Sequence, residues 1–254
     1  MILKNQHFVI FVTTLLFTSC KHSVSKVDTI EGKIIKIDSS YASEGTIEAF
    51  VNPYRERINQ VLDSTLAYAP KTISKTDGKY NSTAGNLMAD IVLEEVNPIF
   101  KSRTGKDIDF VLLNHGGIRT NISKGNITTR TAYEVMPFEN SVFIAELNGT
   151  AVEALVSYLI QSTKPHPIAG IQITVDENKN LKAVNIQGKP FDKDKVYFVA
   201  TSDYLITGGD NMSFFKEHLS LTNVDYLLRN TLIDYFSKKD TITSVVDDRF
   251  IQEN

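Results

Sequence analysis

The chain has 254 residues, 42% hydrophobic and 22% charged, with a formal net charge of −3. That is a globular composition, and its charge gives no footprint for nucleic acid, so nucleic acid is not an expected partner. No run is long and apolar enough to span a bilayer, and a lone cysteine, Cys20, leaves no disulfide to staple a core.

Lys4 to His7 is a short polar start with one positive charge, and Phe8 to Phe17 is a mostly apolar run of the length of a signal core. Thr18 and Ser19 supply small residues directly before Cys20. This resembles a lipoprotein signal. The resemblance implies a signal over residues 1–19, acylation of Cys20 as the first mature residue, a polar tether over 20–26, and an exported, membrane-anchored lipoprotein of the periplasm or cell surface. A plain secretory signal with an incidental cysteine is the alternative.

Thr29 to Ile37 alternates apolar and polar residues and predicts a strand. Pro53 predicts the first turn of a helix with Ile58, Val61 and Leu62 on one face. Leu66 to Thr76 reads as extended, followed by a turn at Asp77-Gly78. Ser82 or Thr83 can cap a helix whose buried stripe is Leu87, Met88, Ile91 and Val92, with Pro98 ending or bending it. Phe110 to Leu113 is a continuous apolar run, as in a strand covered on both faces. Val142 to Leu147 is another strand, after which Asn148-Gly149 turns the chain. Thr150 and Glu153 predict a capping box for a helix carrying Val152, Leu155, Val156 and Leu159. Ile171–Val175, Leu181–Ile186 and Val196–Thr201 read as strands, and Val224 to Phe236 as a last amphipathic helix. Helices and strands interleave without a strict βαβ rhythm. The fold class expected is a mixed, layered α+β domain, running unbroken over residues 27–254.

Three segments carry candidate chemistry. In Leu112 to Arg119 a buried strand runs out into Asn114, His115, two glycines and an arginine. Close backbone approach at the glycines, with a guanidinium beside them, suits a phosphate or carboxylate; a tight turn with a solvated arginine fits equally well. Thr207-Gly208-Gly209-Asp210 follows a strand and Tyr204. Its carboxylate can accept from paired hydroxyls, as on a ribose, and the aromatic can stack on a base; a glycine-rich turn is the alternative. In Met136 to Asn140, Phe138 is a stacking platform if exposed and a core residue if buried.

Taken in order, these segments resemble the C-terminal domain of the 5′-nucleotidase and UDP-sugar hydrolase family. The resemblance rests on Gly85-Asn86-Leu87-Met88-Ala89-Asp90, on Asn114 to Arg119 with His115 in place of a glycine, on Pro137 to Asn140, and on Tyr204 followed by Gly208-Gly209-Asp210. It implies a nucleotide pocket. Phe138 and Tyr204 would sandwich the base, Asn140 would bond its edge, Asp210 would hold the ribose hydroxyls, and Arg119 with Asn114 would bind the phosphate. The family carries a further phosphate-binding arginine before the Gly-Asn-Leu helix. That position falls on Gly78, beside Lys79, whose ammonium is a point charge rather than a fork.

The family hydrolyses phosphate esters with two metal ions held in another domain, through histidine- and aspartate-rich motifs. None occurs in these residues. His22, His115, His166 and His218 are scattered, and no serine or cysteine nucleophile arrangement is present. The resemblance therefore implies no catalytic residue, metal ligand or cofactor here. A separate metallophosphatase chain would supply divalent metals and chemistry, with this chain supplying recognition. A non-catalytic lipoprotein that captures nucleotides or nucleosides, and a structural remnant with a decayed pocket, are the alternatives.

Overall fold

The computed structural model describes Val27 and residues 29–253. The signal, the tether and the lipid-anchor position Cys20 lie outside the described residues. The chain divides between Phe50 and Val51 into two units, where the sequence reading ran one domain from residue 27.

Thr29 to Ile37 forms no strand and is exposed throughout. Alternation makes a strand only where another edge and a core take up its two sides, and Ile30, Ile34 and Ile37 stand in solvent instead. Helix α1 (Gly45–Leu62) spans the division, with Pro53 inside it rather than in its first turn. The early start has a local cause: the Glu44 carboxylate accepts the Ile47 N–H at 2.8 Å, capping the first turn. On the face shared by Ile58, Val61 and Leu62, Ile58 and Val61 are exposed.

Within the second unit, β1 (Thr65–Ala69) leads to α2 (Thr83–Thr104). Ser82 caps α2, accepting the Gly85 N–H at 3.1 Å, and the stripe Leu87, Met88, Ile91 and Val92 is buried as its spacing requires. Pro98 does not end the helix. Buried Val96 and Phe100 hold its last turns inward, and Gly105, at φ 74°, closes it. Then come β2 (Phe110–Leu112), β3 (Gly125–Thr128), α3 (Thr129–Val135) and β4 (Ser141–Asn148). Helix α4 (Gly149–Gln161) is capped by the Asn148 side chain, which accepts from Ala151, and not by Thr150 with Glu153. β5 (Ile168–Ala169), β6 (Ile171–Val175), β7 (Leu181–Ile186), β8 (Lys189–Pro190) and β9 (Val196–Ser202) follow, then the short α5 (Asp203–Ile206). β10 (Ser220–Leu227) takes Val224 into a strand, so the last helix, α6, starts only at Leu228 and runs to Lys238 before β11 (Phe250–Gln252).

The main sheet has the order β10-β4-β9-β2-β5, a second has β11-β6-β7-β8, and β1 pairs with β3. The central strands of the main sheet, β4, β9 and β2, send side chains into a core on each face. Val111, Leu113, Val142, Ile144 and Ala200 join α2 and α6 in one core. Phe110, Leu112, Leu147 and Val199 join α4 and the second sheet in the other. The result is the expected mixed α+β architecture. Among the described residues no helix is long and apolar enough to cross a membrane.

Candidate functional site

Strand register brings the candidate residues together. β9 runs parallel to β2 and antiparallel to β4, with Val142 opposite Ser202. The chain leaving β2 at Asn114, entering β4 at Asn140 and leaving β9 at Tyr204 therefore meets at one end of the sheet. There lies a cleft of about 420 Å³ lined by Asn114, Arg119, Phe138, Asn140, Tyr204 and Asp210, all six sequence candidates, together with Gly116, Gly117 and Glu139.

Phe138 is 41% exposed and Tyr204 44%, so neither ring is a core residue. The Tyr204 hydroxyl donates to Asp210 Oδ1 at 2.9 Å and accepts the Asp210 N–H at 3.3 Å. That hydrogen bond to Asp210 raises the tyrosine's pKa. The contact needs the turn between them. Gly208 has φ 91°, and a Cβ on Gly209 would stand 2.5 Å from the Tyr204 ring. Asp210 itself is held in the left-handed region at φ 52°, and its carbonyl accepts from the Tyr158 hydroxyl at 2.9 Å. Asn140 Nδ2 donates to Asp203 Oδ1 at 2.7 Å, leaving its amide oxygen uncommitted to that bond.

Asn114 opens a single 3₁₀ turn, His115–Gly117. A Cβ on Gly117 would approach Asn114 Oδ1 to 3.0 Å, so the glycine lets the asparagine side chain lie along the turn. Arg119 Nη1 donates to the Gly116 carbonyl at 3.1 Å, and the guanidinium sits 5.6 Å from the Phe138 ring centroid.

A second cation near Arg119 escaped the sequence reading. Lys79 turns away, donating to Gln252 Oε1 at 2.7 Å. Gly78 cannot hold a longer side chain on this backbone, because a Cβ there would meet the Asn81 carbonyl at 2.1 Å. Lys75 instead donates to the Ile118 carbonyl. Burial, then the charges of Arg119 and Lys164, lower its pKa. A lysine with no motif around it carries no sequence signal. His115 and His166 sit behind the turn, with the His115 N–H donating to His166 Nδ1 at 3.3 Å. Burial pushes His166 down to about 4 and also lowers His115.

The Gly85-Asn86-Leu87 motif lies outside the cleft and serves the fold. Asn86 Nδ2 donates to Asn81 Oδ1 at 2.8 Å and the Val245 carbonyl at 2.9 Å, while Asp90 pairs with Arg249 at 2.9 Å. A larger depression, of about 650 Å³, lies over α2 and β10, but its charged groups already engage one another, Glu95 with Lys238 and Asp234 with the Tyr226 hydroxyl. Among the described residues no group of three or more His, Cys, Asp or Glu is placed to hold a metal ion.

One cleft of this α+β domain thus brings together two half-exposed aromatics, a carboxylate and a guanidinium. The family model for the 5′-nucleotidase, C-terminal domain, matches residues 61–217. This is more than half of the chain, and the chain belongs to that family. It is 28% identical to the cell wall protein Lmo0130 of Listeria monocytogenes, over 77% of this chain and 27% of that one. It is 26% identical to the 5′-nucleotidase of Vibrio vulnificus, over 87% of this chain and 39% of that one. The fold matches the 5′-nucleotidase precursor of Thermus thermophilus with a TM-score of 0.68 at 21% identity, covering 83% of this chain and 43% of that chain. The chain spans less than half the length of each of these relatives.

Proposed function

We propose that this domain is the nucleotide-recognition half of a 5′-nucleotidase-type hydrolase. The observation that carries the reading is the meeting of Phe138, Tyr204, Asp210 and Arg119 in one cleft. A base stacks between the two rings, with the Asn140 amide at its edge. Asp210 accepts from the ribose hydroxyls, and Arg119 with Asn114 binds the phosphate, aided by the charge of Lys75. Binding energy from base and ribose then positions the phosphate ester for attack. Cleavage belongs to a metallophosphatase domain or chain outside these residues, whose two divalent metals would clamp the attacking and leaving oxygens.

Titration with adenosine and AMP tests this reading. Both should bind saturably, and Phe138→Ala should weaken both by about 1–3 kcal/mol. Absence of saturable binding, or binding indifferent to Phe138, sinks it. The chain alone should release no phosphate from AMP with added divalent metal; metal-dependent release by it would overturn the division of labour.

The second reading, capture of nucleosides without hydrolysis, is favoured by the glycine at position 78 and by Lys79 turning away, which leave Arg119 as the one arginine in the cleft lining among the described residues. Equal affinity for adenosine and AMP would select it. We also propose, from the resemblance of residues 1–20 to a lipoprotein signal, that the domain is exported on an acyl anchor at Cys20. Cys20→Ala should then move it out of the membrane fraction; retention there rejects the anchor.

A further inference from the structure

We propose that Arg229, on α6, is a positioning residue that presents Phe138 to the cleft; the proposal rests on the nucleotide reading of that cleft. The guanidinium is buried, with Arg229 only 3% exposed. Burying a cation is costly unless its partners are numerous and well placed. Its partners all bear on the Phe138 segment or its support. Nη1 donates to the carbonyls of Pro137 and of Phe138, both at 3.2 Å. Nη2 pairs with the Glu139 carboxylate. One flat face lies over the Tyr133 ring of α3, 4.1 Å from its centroid. Next to Arg229, the Leu228 N–H donates to the Asn140 carbonyl at 2.9 Å. Residues 137–140 thus have three consecutive groups gripped by one fork and the fourth by the adjoining amide.

Packing of α6 does not require this cation, since Leu228, Leu232 and Phe236 already face the core. The Arg229 Nε is buried without a hydrogen-bond partner among the described residues. The position therefore carries an unmet polar group as well as a buried charge. What the grip achieves is local. It fixes an irregular segment, with no ladder of its own, that carries one aromatic wall of the cleft and the Asn140 amide. Lysine could not do the same, because an ammonium is a point donor that neither forks to adjacent carbonyls nor stacks flat on a ring.

The chain has no tryptophan, so Phe138→Trp installs a single fluorescent reporter at the platform itself. In that background Arg229→Lys should lower the steady-state anisotropy and shift the emission to the red, with far-UV dichroism unchanged. In the tryptophan-free chain Arg229→Lys should weaken adenosine binding about tenfold, the size of one charge-assisted hydrogen bond. Once Phe138 is alanine the same change should weaken it no more than about twofold, since coupled residues are not additive. Tyr133→Leu removes the exposed ring beneath the guanidinium and serves if Arg229→Lys does not fold; it should move the reporter in the same direction. An unmoved reporter, or an equal loss with and without Phe138, overturns the proposal. If adenosine does not bind the unaltered chain, the nucleotide reading has failed, and the reporter alone decides whether Arg229 holds the platform.

Discussion

The Tyr204 hydroxyl ties a stacking surface to a hydrogen-bonding acid, and Tyr204→Phe isolates that tie. The substitution keeps the ring and removes one oxygen. That oxygen donates to Asp210 Oδ1 at 2.9 Å and accepts the Asp210 N–H at 3.3 Å, so it fixes both the rotamer and the backbone of a residue held at φ 52°. Tyr204 is 44% exposed, which puts the net value of these bonds at the low end, about 0.5–1 kcal/mol, because water replaces them when they break. The melting temperature should fall by about 1–4 °C. Ligand binding should respond selectively. A carboxylate that must be ordered by the ribose itself costs about 0.7–1.4 kcal/mol, a loss of about three- to tenfold for adenosine. 2′,3′-Dideoxyadenosine, which offers Asp210 nothing, should bind within about twofold of its wild-type affinity, since the stacking ring is intact. Calorimetric titration of both nucleosides into both proteins gives the ratio directly. An equal loss for the two would mean that the hydroxyl serves the fold. Unchanged or tighter adenosine binding would mean that it competes with the ribose rather than preparing for it.

Other perturbations test the remaining parts of the site. Arg119→Ala should erase most of the preference for AMP over adenosine, about 1.5–3 kcal/mol for a charge-assisted bond, while leaving adenosine affinity nearly intact; competition titration reads the difference. Gly209→Ala drives a Cβ to 2.5 Å from the Tyr204 ring, so thermal unfolding should report about 1–3 kcal/mol of overpacking, together with loss of adenosine binding. His166 is neutral in the fold, with burial holding its pKa at about 4. The unfolded chain takes up that proton near pH 6.5 and the folded one only near 4. Stability is therefore full above the first value and declines as pH falls towards the second, by about 2 kcal/mol between pH 7.5 and 5. Urea unfolding at those two pH values should show this decline, and His166→Phe should flatten it; an equal decline in both proteins would assign the effect elsewhere.

Much of this domain is legible along the chain because its signals are local. The stripe Leu87, Met88, Ile91 and Val92, the run Phe110 to Leu112 and the helix over Val152 to Leu159 need only the helix and strand periods, and the structure buries each as those periods require. The candidate ligand residues were readable by type: aromatics, a carboxylate and a guanidinium beside glycines. Their meeting was not, because it depends on the register of β4 against β9 and on the parallel pairing of β2 with β9, which are contacts between residues far apart in sequence. The same dependence explains the departures. Thr29 to Ile37 has the alternation of a strand but forms none, and Val224 has a helical pattern but lies in β10, in the bulge between Asn223 and Leu227, where it is buried in the core. Tertiary structure alone decided which lysine stands beside Arg119. Lys75 and Lys79 differ in sequence only by position, and the fold sends one to the Ile118 carbonyl and the other to Gln252. Arg229 is the extreme case: its neighbours in the chain mark it as one more helical arginine, and its partners lie some ninety residues earlier, where only the packing of α6 against the Phe138 segment can bring them.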